Sequence, residues 1–143
     1  MADRSATLAY AGALPFVAGA ALAVTGVDPA SGLGPAPLIV AAWALTIVSF
    51  MAGVHWGQYL AAGEEIGINL FLTSNAIAIT GWLAFLLLPV SRALLVFAAL
   101  FAILLLIDRR LRKADHIAPG YWRTRVGVTA IVIVSLLVTA AFA

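Results

Sequence analysis

Long apolar runs dominate the chain, and short polar or Pro/Gly-rich breaks separate them. A bilayer's hydrocarbon core takes about 20 apolar helical residues to cross. On that measure the runs predict five spans, at about 8–25, 38–60, 66–88, 90–107 and 126–143. The first carries Pro15, which removes one backbone donor and leaves a carbonyl needing a partner. Ala21-Leu22-Ala23 resembles a signal-peptidase site, but the apolar run exceeds a usual signal core, which predicts an uncleaved helix. Val27-Asp28-Pro29-Ala30-Ser31-Gly32-Leu33-Gly34-Pro35 reads as a loop, and Ala61-Ala62-Gly63-Glu64-Glu65 as a turn. Pro89 leaves so short a break that the third and fourth spans must form an antiparallel hairpin. The polar stretch from Asp108 to Arg125 reads as the connection to the last span. The expected fold is therefore all-α, a polytopic five-helix membrane bundle forming one transmembrane domain over 1–143.

Composition narrows what such a bundle can do. Of the 143 residues, 64% are hydrophobic and only 10% charged, and the mean hydropathy is +1.12, far from a soluble domain. There is no cysteine, which excludes disulfides, iron–sulfur clusters and thiol nucleophiles. The net charge of +2 hides a strong asymmetry. Arg109, Arg110, Arg112, Lys113, Arg123 and Arg125 all fall between the last two spans, Arg4 lies at the N-terminus, and Arg92 stands apart. The positive-inside rule then predicts the N-terminus inside and the C-terminus outside. The basic cluster fixes topology and suits anionic lipid head groups, whereas nucleic-acid binding is not expected of a short patch against a membrane.

The second span holds the most distinctive string, Gly53-Val54-His55-Trp56-Gly57. Histidine is rare within a bilayer and marks a candidate site. At 100° per residue the two glycines lie about 40° apart, in a small-residue stripe with Ala42, Thr46 and Ser49. Such a stripe suits a close helix neighbour. The third span offers Gly67, Ser74, Ala78 and Gly81, which predicts packing between spans two and three and a central place for the second. His55 points about 180° from the glycines, on the side of Ala44, Val48, Met51, Gln58 and Tyr59.

His55 then has three readings: a neutral imidazole bonded to a neighbouring helix or to interfacial water, one wall of a site for a quinone or lipid head group, or an axial haem ligand. Haem is disfavoured, because His116 lies in a loop and Met51 is one turn away on the same helix. His55, Gln58, Tyr59, Met51 and Asn75 form the candidate polar pocket. No acidic residue is expected deep in any span, which disfavours a carboxylate relay, and Asp108 is placed at the lip of the fourth span. No nucleophile–base pair or metal-ligand spacing stands out, so neither a catalytic residue nor a metal is expected.

Several strings together resemble the bacterial and mitochondrial membrane family related to transmembrane protein 69. They are Tyr10-Ala11-Gly12-Ala13-Leu14-Pro15-Phe16, Ser49-Phe50 with Gly53-Val54-His55-Trp56-Gly57, Trp82, Asp108-Arg109-Arg110, and Pro119, Tyr121-Trp122-Arg123 and Arg125. The family tends to have a proline after the serine of the third span, where this chain reads Ser74-Asn75-Ala76-Ile77. The resemblance implies a five-helix inner-membrane protein and brings no activity with it. Two functions remain. One is a non-catalytic accessory or assembly subunit of a larger energy-converting membrane complex. The other is a small-molecule binder or carrier with an inward-facing site near His55.

Overall fold

A computed structural model describes residues 2–29, 32–62 and 66–143. Ala30 and Ser31 of the first loop and Gly63, Glu64 and Glu65 of the expected turn lie outside the described residues. Five α-helices make up the described fold: α1 (Ala2–Thr25), α2 (Ala36–Ala62), α3 (Leu70–Leu87), α4 (Val90–Lys113) and α5 (Pro119–Phe142). Each is long and apolar enough to cross a membrane.

The helices stand in a ring, α1–α5–α4–α3–α2, closed by contact between α1 and α2, with α2 and α4 also touching across the middle. Alternating direction makes α1 and α5 parallel neighbours, and likewise α2 and α4 across the ring. The core is apolar and aromatic: Phe16 of α1 meets Phe101 of α4 edge to face at 5.8 Å, and Phe97, Leu104 and Leu136 are fully enclosed.

Local chemistry moves three of the expected boundaries. Asn69 accepts bonds from the amides of Phe71 and Leu72 at 3.1 and 3.2 Å, so α3 starts at Leu70 and not at 66. The fourth helix runs on past 107 to Lys113, its basic last turn complementing the helix dipole. Asp115 then takes a left-handed conformation (φ 61°), and the His116 amide returns to the Leu111 carbonyl at 2.8 Å. Pro119, preset for a first helical turn, opens α5 seven residues before the expected start at 126. The expected polar connection is thus two helix ends joined by five residues, 114–118.

The small-residue seam also differs from expectation. Ala42, Thr46, Ser49, Gly53 and Gly57 all face outward, and a Cβ added at Gly53 or Gly57 would meet nothing within 4 Å. The helical arithmetic holds, since His55 does lie opposite the glycines, but α3 covers the flank of α2 and leaves that stripe bare. Gly67 is exposed in the turn before α3, at φ +73°. Of the expected packing set, Ser74 and Gly81 are buried, and a Cβ at Gly81 would press on Phe97 and Leu45 at 3.3 and 3.4 Å. The tightest glycine contacts lie at two other positions. A Cβ at Gly19 would strike Val40, and one at Gly127 the Tyr10 hydroxyl.

Candidate functional site

Three charged or titratable side chains meet inside the bundle, at the end where α4 turns into α5. His55 of α2 is fully enclosed, and its Nε2 lies 2.8 Å from Oδ1 of Asp108 on α4. Arg125 of α5 donates from Nε to Asp108 Oδ2, also at 2.8 Å. Asp108 is only 1% exposed and Arg125 7%. One carboxylate therefore ties three helices together, and its charge is balanced by the guanidinium. The ionised carboxylate is acceptor-only, so His55 donates its Nε2 proton to it, which leaves Nδ1 to look elsewhere.

Helical register explains why Asp108 points inward. Leu104 and Leu111, at −4 and +3, share its face, Ile107 flanks it, and all three are buried. Arg125 likewise lies among Val128, Thr129 and Val132 on the buried face of α5. An unpaired charge at this depth costs several kcal/mol in general, so the pair holds together through mutual need.

Beside this cluster lies a cleft of about 470 Å³ between α1, α2 and α5, floored by Phe101 of α4. Its walls are largely apolar, including Leu8, Ile47, Phe50 and Val54. The polar exceptions are Ser5 on α1 and, on α5, Thr124 with Tyr121, Arg125 and Thr129, the last three at four-residue spacing and so on one face. Arg125 Nη2 and Thr129 Oγ1 are buried and have no hydrogen-bond partner among the described residues, and the same holds for His55 Nδ1 and Gln58 Oε1. Buried polar atoms are nearly always satisfied, so each of these asks for a partner from outside the chain.

Above the cleft, α1 and α2 are held together where Gly19 meets Val40 and where Trp43 donates from Nε1 to the Gly12 carbonyl at 3.0 Å. That bond falls in the turn before Pro15, and Trp43 is half-buried. Trp56 is half-exposed and stacks on Phe71 of α3 at 4.4 Å.

The expected pocket residues scatter. Met51 lines the cleft, and His55 sits behind it, reached through Arg125 and Asp108. Gln58 is partly buried nearby on α2, one turn from His55. Tyr59 turns to α3, edge-on to Phe71 at 4.5 Å. Asn75 is exposed on the outer face of α3, where its amide donates to the Phe71 carbonyl of its own helix at 2.7 Å, so it belongs to no pocket.

Two residues change role altogether. Asp108, expected at the lip of the fourth span, is the buried hub. Arg125, expected among the lipid-facing basic residues, is its partner. Arg109, Arg110, Lys113 and Arg123 are exposed as a surface cluster should be, and Arg112 reaches Asp115 at 3.5 Å.

No curated protein and no solved structure matches the chain. A family model described as "Protein of unknown function (DUF3429)" matches residues 1–141, nearly the whole chain. The protein is therefore a multi-pass membrane protein of the DUF3429 family.

Proposed function

We propose that this protein binds an amphipathic small molecule dissolved in the bilayer, of the quinone or lipid head-group class, in the cleft between α1, α2 and α5. One observation carries the reading: Arg125 Nη2 and Thr129 Oγ1, both buried and unpartnered, belong to side chains on the wall of an otherwise apolar cleft. Apolar walls with a few converging polar groups are what a small-molecule site requires. The role is binding or carriage, not catalysis.

With Arg4 and five exposed or half-exposed basic residues at the α4–α5 end against Arg92 at the other, we place that end inside, the N-terminus with it and the C-terminus outside. The cleft then opens toward the inner half of a bacterial inner membrane. The surface cluster would hold anionic lipids there. Kinship with the transmembrane protein 69 group fits the same strings that place His55, Asp108 and Arg125.

Native mass spectrometry on protein released from its own membrane tests the reading. Wild type should carry a small-molecule adduct. Gly12→Phe should lose it while staying folded, because a Cβ at Gly12 meets nothing within 4 Å and the ring would occupy the cleft that Gly12 lines. A wild-type protein without any adduct would overturn the site.

A second reading, an accessory or assembly subunit of a larger membrane complex, is favoured by the uncovered stripe Ala42, Thr46, Ser49, Gly53 and Gly57, which suits a partner helix. Its test is a native gel in mild detergent, where co-migration with other subunits supports it and migration as a lone species refutes it.

A further inference from the structure

We infer that the cleft selects an uncharged, flat, carbonyl-bearing ring such as a quinone, and discriminates against anionic lipid head groups. The inference rests on the cleft being a ligand site and concerns only what that site prefers. The argument begins with charge. The Arg125 guanidinium is already matched by Asp108 at 2.8 Å, and the second carboxylate oxygen is held by His55 Nε2, also at 2.8 Å. Among the described lining residues Arg125 is the one cation. A phosphate or carboxylate entering the cleft would have to compete with Asp108 for it, and whichever anion lost would be buried unpaired.

What the cluster leaves over is hydrogen-bonding capacity without charge. Arg125 Nη2 can only donate, and the Thr129 hydroxyl donates readily; the two residues sit one helical turn apart on α5. A single neutral carbonyl oxygen accepts from both. That satisfies two buried groups at once and asks for no counter-charge.

The walls favour a ring over a flexible head. Phe16, Phe50, Phe101 and Tyr121 present aromatic surfaces, and Met51 adds a polarisable thioether. An apolar tail then leaves between α1 and α2, below the Gly12–Trp43 bond.

Purified full-length protein in neutral detergent is titrated with three probes: decyl-benzoquinone, a short-chain diacylglycerol as a neutral ester, and a short-chain phosphatidic acid. The quinone should bind at least about tenfold more tightly than phosphatidic acid, and more tightly than the diacylglycerol. Thr129→Val should weaken quinone binding about fivefold, the share of one neutral hydrogen bond, while Thr129→Ser, which keeps the hydroxyl, should not. Tighter binding of phosphatidic acid would overturn the charge argument and leave the site standing. Equal or tighter binding of diacylglycerol would overturn the ring. Unchanged quinone affinity in Thr129→Val would overturn the proposed hydrogen bond. If none of the three probes binds, the preference for a ring falls, and absence of the native adduct overturns the site itself.

Discussion

The two faces of α2 look alike in hydropathy and behave in opposite ways. One carries His55 into the bundle, with Ala44 and Val48 fully enclosed around it and Met51 nearly so. The other carries Ala42, Thr46, Ser49, Gly53 and Gly57, and nothing among the described residues covers it. Both faces hold features that would usually be read as signs of close contact, a polar side chain on one and a glycine pair on the other. Polarity proved the stronger guide, because a buried imidazole must find a partner on another helix, whereas a glycine in lipid costs little and compels nothing. Small residues permit approach, and only unsatisfied groups demand it.

That contrast can be pressed by substitution, with unfolding followed in detergent. Asp108→Ala should do the most damage, about 3–5 kcal/mol or failure to accumulate, because it leaves the Arg125 guanidinium buried and unmatched. His55→Ala should cost less, about 1–3 kcal/mol, since Asp108 keeps its arginine and loses one hydrogen bond. Gly19→Ala should also destabilise, by about 1–3 kcal/mol, as its Cβ runs into Val40 and forces α1 away from α2. Gly53→Ala with Gly57→Ala should be neutral or stabilising by up to about 1 kcal/mol per site, since the new methyls meet nothing and alanine is the better helix former. If the double alanine instead destabilised the purified protein, the outward face would have a partner in the preparation. If Gly19→Ala proved silent, the close contact between α1 and α2 would be refuted.

Much of this was legible in the sequence. The five helices follow from the apolar runs, and His55 stood out as a polar residue where polar residues are rare. Its partners were hidden by a boundary. Hydropathy ends the fourth run at Ile107, so Asp108 was assigned to a loop. The spacing of Leu104, Ile107 and Leu111 carries the helical stripe through Asp108 and would have placed it inside. Arg125 was masked in the same way by the basic residues around it, although Val128 and Val132 repeat its register. The cleft was not legible at all. It depends on how α1, α2 and α5 sit relative to one another, and no local pattern encodes that placement.

The hub invites one direct measurement, a double-mutant cycle on Asp108→Leu and Arg125→Met read as unfolding free energy. If the two side chains are a buried, mutually dependent pair, each single change costs several kcal/mol, about 3–5, and the double variant is more stable than either. Costs that simply add, with the double variant the least stable of the three, would contradict the account.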